Sequence, residues 1–204
     1  LKIIVATGNK NKVKEIKDFY KNYEIYALDE IIKPFEIIEN GDSFAKNALI
    51  KANAVFDKLS NQQKDEFIVL SDDSGICVDI LNGEPGIYSA RYSGENATDI
   101  KNRQKLISKL NELSLNATPA HYTACIAIAC KFGSYTTHGW MYGKIINEER
   151  GENGFGYDFM FIANGFDKTI GELDEKTKLK ISHRSNGLRN ADFIIRNLIK
   201  YYKV

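Results

Sequence analysis

The chain has 204 residues, 43% of them apolar, enough for one well-packed domain with room for a second lobe. Twenty-eight Lys and Arg against 27 Asp and Glu leave almost no net charge, which excludes a surface drawn as a whole to nucleic acid or membrane and makes any anion site local. No apolar stretch approaches the roughly 18 residues of a bilayer span, no signal-peptide pattern opens the chain, and Cys77, Cys125 and Cys130 lack metal-finger spacing and suit reduced thiols, so a cytoplasmic protein is expected.

Lys2 to Ala6 reads as a first strand, Thr7 to Asn9 as a tight turn, and Lys10 to Tyr20 as a helix with Val13, Ile16, Phe19 and Tyr20 at helical spacing. Strand, Gly turn and helix N-terminus together form a phosphate-site layout, with backbone N–H groups and partial positive charge facing one way. Thr7, Gly8, Asn9, Lys10, Asn11 and Lys12 are therefore candidate phosphate ligands, although the Walker spacing is absent and a plain helix cap has the same pattern. A second helix spans about Asp42 to Leu59, with Asp42 or Ser43 as its cap and Phe44, Ala48, Leu49, Ala52, Val55, Phe56 and Leu59 on one side. Lys51 flanks that apolar side, as a surface lysine or a phosphate clamp.

The apolar run Phe67 to Leu70 predicts a buried strand that surfaces at Ser71-Asp72-Asp73-Ser74-Gly75. Two carboxylates at the carboxyl edge of a sheet strand sit where ligands bind in open α/β sheets. Asp-rich turns also bond their own backbone, and only context separates the two readings. With Glu39 (or Glu36 in the same poorly patterned stretch), Asp72 and Asp73 make a candidate Mg2+ set, because Mg2+ takes one or two carboxylates plus substrate phosphates.

A third helix is expected from about Thr98 to Leu113, after the turn-rich Asn82 to Gly86. Tyr122 to Lys131 alternates as a strand, with Tyr122, Ala124, Ile126, Ile128 and Cys130 on one face and Thr123, Cys125, Ala127 and Ala129 on the other. That spacing keeps Cys125 and Cys130 from chelating one ion together. Ser134 to Ile146 returns as a partner strand. In Gly154-Phe155-Gly156-Tyr157-Asp158, flanking glycines admit a flat ligand and the aromatic ring offers a stacking platform, or the stretch is a turn leading into a strand. Ser182-His183-Arg184, with Lys178 a turn earlier, precedes a last helix from about Ser185 to Tyr202, and Arg184 offers donors for a carbonyl.

Taken together, these segments resemble the inosine triphosphate pyrophosphatase family, also called the Ham1 family. Thr7-Gly8-Asn9 with Lys12 is similar to its N-terminal TxNxxK motif, and Ser43-Phe44 through Asn47-Ala48 and Lys51-Ala52 to its second helix. Ser71 to Gly75 is similar to its acidic loop, Gly86 to Tyr92 to the stretch that follows, and Phe155 to Asp158 and Ser182 to Arg184 complete the order nearly end to end. One departure is Phe159, where the family commonly has Pro.

The resemblance implies an α/β fold: an elongated mixed central sheet flanked by helices, two lobes with the active-site cleft between them, one catalytic domain over residues 1 to 204, and a homodimer. It implies hydrolysis of dITP, ITP and XTP to the monophosphate and pyrophosphate. By carry-over Thr7, Asn9 and Lys12 with Lys51 would grip the triphosphate, Glu39, Asp72 and Asp73 would place Mg2+, Asp73 would be the general base, and Gly8, Lys10, Asn11 and Ser74 are further substrate-binding candidates. Phe155 would stack on the purine with His183 or Arg184 donating to its 6-keto oxygen, and Gly156, Tyr157, Asp158 and Lys178 are further substrate-binding candidates. A house-cleaning pyrophosphatase of the Maf type and a nucleotide sensor without turnover are the alternatives. An RNA-binding module finds no basic stripe.

Overall fold

The computed structural model describes residues 1–202. Its strands are β1 (Lys2–Val5), β2 (Ile25–Ala27), β3 (Phe67–Val78), β4 (Ala117–Cys130), β5 (Gly133–Ile146) and β6 (Phe161–Ala163). Its helices are α1 (Lys10–Phe19), α2 (Leu28–Ile31), α3 (Phe44–Lys58), α4 (Asn61–Glu66), α5 (Asp99–Glu112), α6 (Glu175–Ile181) and α7 (His183–Tyr202). The strands form one six-stranded mixed sheet in the order β2-β1-β3-β4-β5-β6, with β1 parallel to β2 and β3, and β5 antiparallel to β6. No helix among the described residues is long and apolar enough to cross a membrane.

The chain forms two compact units, the first from residues 1 to 73, 124 to 139 and Arg184 onward, the second from Ser74 to Thr123 and Trp140 to His183. In the first unit, period-two alternation sorts the strands between two helical layers. Ile3 and Val5 of β1, Ile68 and Leu70 of β3 and Ile126, Ile128 and Cys130 of β4 pack with Ile16 and Tyr20 at α1 and with Leu188, Ala191, Ile195 and Leu198 of α7. Ile4, Val69, Cys125, Ala127 and Ala129 face the other way onto Ala48, Ala52 and Val55 of α3. The small side chains of β4 let α3 sit close, and Cys125 and Cys130 lie on opposite faces, as the alternation predicts.

The second unit has one core. Leu106 and Leu110 of α5 pack with Ile76 and Val78 of β3, Tyr122 of β4, Met141 and Ile145 of β5 and Phe161 of β6.

The acidic segment corrects the sequence reading. Ser71 to Gly75 is not a turn at a strand end but the middle of β3, which runs to Val78 and is buried at Ser71, Asp72 and Asp73. Polar residues persist inside a buried strand when each finds a partner. The Ser71 hydroxyl donates to the Ala48 carbonyl at 2.6 Å, and the Ser89 hydroxyl accepts from the Ile76 amide at 3.0 Å. Gly75 admits that crossing: a Cβ there would lie 2.3 Å from the Gly86 carbonyl oxygen. The parallel neighbour β1 pairs only with Phe67 to Leu70, so Asp72 and Asp73 still extend past the carboxyl end of that strand.

Candidate active site

Asn9 caps α1, and its side-chain oxygen accepts from the amides of Asn11 at 2.9 Å and Lys12 at 3.3 Å. The Asn9 amide in turn donates to the Thr7 hydroxyl at 3.2 Å. The turn is therefore held by its own side chains, the plain-cap pattern, while Gly8, Asn9, Lys10 and Asn11 stay exposed and open space surrounds Gly8. From the same first turn Lys12 reaches Asp72 Oδ2 at 2.7 Å.

Asp72 is fully buried and carries two cations. Arg184, the second residue of α7, donates from Nε and Nη2 to Asp72 Oδ2, each at 3.2 Å, and from Nη1 to Glu15 of α1. Burial alone would lower the Arg184 pKa, but Asp72 and Glu15 outweigh it and raise it, so the guanidinium is permanently charged. Of the two residues expected to donate to the base oxygen, His183 or Arg184, the arginine has these donors on carboxylates of the first unit. Glu15 carried no sequence signal beyond lying one turn after Lys12.

Asp73 pairs with Lys51 of α3 at 2.9 Å, and Lys51 also reaches Glu39 at 2.6 Å. Lys51 is buried, not a surface lysine. Burial pulls its pKa down, Asp73 and Glu39 together push it up, and the net shift is upward. For Asp73, burial raises the pKa and outweighs the opposing pull of Lys51 and Lys12, with Asp72 adding to the rise. A carboxylate raised in this way is a better base near neutral pH. Glu36 is exposed, so Glu39 is the glutamate joined to the acidic pair through Lys51. The three carboxylates do not converge as a ready metal cage, and among the described residues no group of three His, Cys, Asp or Glu side chains does. Lys51 instead bridges Glu39 and Asp73, while Lys12 and Arg184 lie on Asp72. The donor set nevertheless fits a hard cation: Asp73 Oδ2 is buried with no hydrogen-bond partner, which leaves a lone pair to fill.

The second unit holds the aromatic set. Phe155 is half-buried, with Lys178 of α6 placed 4.6 Å from its ring centroid. Asp158 accepts from the Phe155 amide at 3.0 Å and from Lys178 at 2.7 Å. Gly154 has φ +92°, and a Cβ there would meet Asp158 Oδ2 at 2.3 Å. That glycine thus makes room for the chain's own carboxylate, whereas the space beside Gly156 is open. Tyr157 is a core residue whose hydroxyl donates to the Ser89 carbonyl at 2.9 Å, so the structure gives it to the support of the loop. Phe159 lies under the Arg103 guanidinium at 4.6 Å, which accounts for an aromatic residue at that position. His183 begins α7 and stacks on Tyr122, ring centroids 4.4 Å apart and planes within 8°. Ser74 is half-buried just beyond the acidic pair.

Paired acids past the end of a parallel strand, with buried lysine and arginine on them, sit at the carboxyl edge where open α/β sheets bind their ligands. The Ham1 family profile matches residues 3–192, and the chain belongs to the Ham1 family. It is 66% identical to a dITP/XTP pyrophosphatase of Campylobacter hominis, over 98% of this chain and 97% of that one. It is 63% identical to a dITP/XTP pyrophosphatase of Campylobacter fetus over the whole of both chains. Among solved structures, the Ham1 protein of Staphylococcus aureus superposes with TM-score 0.83 at 34% identity, over 97% of this chain and 99% of that one.

Proposed function

We propose that this chain is a nucleoside triphosphate pyrophosphatase that hydrolyses dITP, ITP and XTP to the monophosphate and pyrophosphate in the cytoplasm, removing deaminated purines from the nucleotide pool. The observation that carries this is the buried Asp72-Asp73 pair with Lys12, Lys51 and Arg184 on it and Asp73 Oδ2 left unfilled. The similarity to Campylobacter proteins named dITP/XTP pyrophosphatase supports it.

In this reading the whole chain is one catalytic module, and a homodimer its working form. The first unit takes the phosphates, with Thr7, Gly8, Asn9, Lys10, Asn11, Lys12, Lys51 and Ser74 of the next segment as ligands. Asp72, Asp73 and Glu39 would hold Mg2+, which when bound supplies positive charge to the phosphate oxygens. Asp73 orients the attacking water and accepts its proton, and its raised pKa suits that role. The bond between the α-phosphorus and its bridging oxygen breaks, and pyrophosphate leaves. Lys12 and Lys51 lie on the acids in the resting protein and can turn to phosphate oxygens as charge develops.

The second unit takes the base. Phe155 stacks on the purine, Lys178 stands at its edge, and His183 donates to the 6-keto oxygen. Adenine offers an amino donor there, and donor facing donor leaves buried groups unpaired, a penalty that can discriminate by about 10⁴.

The test is pyrophosphate release from a panel of dITP, ITP, XTP, GTP, ATP, dTTP and methylated nucleotides, with Mg2+ and with EDTA. Turnover of the inosine and xanthosine nucleotides, abolished by EDTA, is expected. Preference for dTTP or methylated nucleotides would mean a Maf-type activity, and binding without turnover a sensor.

A further inference from the structure

Helix α5 carries two residues outside the motifs that fix the aromatic loop at a single residue. Asp99 and Arg103, four apart and so on one face of the helix, hold opposite sides of Gly156. The Gly156 amide donates to Asp99 Oδ2 at 2.8 Å, and Arg103 Nη1 donates to the Gly156 carbonyl at 2.9 Å. Gly156 has φ +60°, in the left-handed region that glycine enters without steric cost and leaves as easily, so its two ties to α5 hold one of several accessible conformations.

Arg103 is itself immobilised. It is buried, its Nε lies 2.8 Å from Glu149, and its guanidinium sits 4.6 Å from the Phe159 ring centroid. One side chain thus spans residues on both sides of the Phe155-Gly156 turn.

We infer that Asp99 and Arg103 are positioning residues that set the Phe155 platform for the base, so that affinity for the nucleoside, and not phosphate handling, depends on them. This rests on the proposed function, since it assigns the platform to a purine. The geometry favours it over a purely structural role because the clamped residue directly follows Phe155 and the space where a Gly156 side chain would lie is open. Losing the clamp frees the turn to sample other conformations, and a platform that is only sometimes in place weakens apparent binding in proportion.

The experiment compares wild type with Asp99→Ala, Arg103→Ala and Arg103→Lys in the full chain with Mg2+. The readouts are KM and kcat for ITP, the inhibition constants of IMP and inorganic tripolyphosphate, and the melting temperature. In Arg103→Ala, KM for ITP and the IMP constant are expected to rise about tenfold, the scale of one lost charge-assisted hydrogen bond. The kcat should stay within about twofold and the tripolyphosphate constant should not move. Arg103→Lys should behave like the alanine variant, because an ammonium keeps a charge for Glu149 but cannot supply the planar fork and stack. Asp99 is exposed, so Asp99→Ala carries the test if Arg103→Ala does not fold, with a smaller rise in the same two constants.

Wild-type KM and IMP inhibition in the folded variants would overturn the inference, as would an equal rise in the tripolyphosphate constant. A wild-type protein that turned over no inosine nucleotide would overturn the functional reading first, and this inference with it.

Discussion

Replacing Lys51 with Met tests the electrostatics of the acidic pair most directly. The methionine matches the lysine stem in length but removes the ammonium that lies 2.9 Å from Asp73 and 2.6 Å from Glu39. Asp73 is only 9% exposed and has one oxygen without a partner already, so the variant strands a buried charge. Breaking a buried pair from one side costs about 3–5 kcal/mol, and Lys12 retains some favourable field at Asp73, so about 3 kcal/mol at pH 7.5 is expected. The sign follows from the protonation states. Burial already raises the Asp73 pKa against the pull of Lys51, and without Lys51 it rises further. A carboxyl whose folded pKa lies above its unfolded value contributes stability at low pH that is lost as pH rises through the folded value. The cost of Lys51→Met should therefore be small at pH 4.5 and grow toward pH 7.5. In the wild type the raised Lys51 pKa contributes stability that is complete below 10.5 and lost only above it. Urea denaturation of both proteins at the two pH values, without added metal, measures this. An equal cost at both would refute the account of Asp73, as would an acid limb of kcat/KM that fails to move to higher pH in the variant.

Three further outcomes are expected. Asp73→Asn should lose pyrophosphate release by at least about 10²-fold while IMP still binds in calorimetry, and undiminished turnover would remove Asp73 as the base. Arg184→Lys should lower ITP and ATP turnover alike, since the guanidinium holds Asp72, whereas His183→Ala should lower ITP turnover selectively; a selective loss in the arginine variant would return base reading to Arg184. Burial pushes the Cys125 thiol up to about 12, helped by Asp72 and Asp73, so mass spectrometry after iodoacetamide at pH 8 should find Cys125 unmodified in the native protein and modified in urea. Labelling at Cys125 in the native state would mean that the sheet face under α3 opens.

Elements with a clear hydrophobic period were legible in the chain. Val13, Ile16 and Phe19 mark α1, Ala48, Ala52 and Val55 mark α3, and the alternation through β4 divides its side chains between two helical layers. The Gly turn before Lys12, the acidic pair, Lys51 and the Phe155 loop are also sequence-local signals, because each needs a residue type at a fixed offset. The short elements β2, β6, α4 and α6 were not legible, since three to seven residues carry too little period and are held by what they pack against.

What sequence alone determined about this protein is therefore its family, its layers and the chemical inventory of its site. Pairing was decided elsewhere. A polar run from Ser71 to Gly75 has poor strand propensity, and it is a strand whose Ser71, Asp72 and Asp73 side chains are partnered by Ala48, Lys12, Arg184 and Lys51, from 22 to 112 residues away along the chain. The same holds for Arg184, whose donors lie on Asp72 and Glu15, and for Arg103, which reaches Gly156 across 53 positions. A side chain's type can be read in isolation, but the partner that fixes its charge and direction is a matter of distance in three dimensions, which only the folded chain sets.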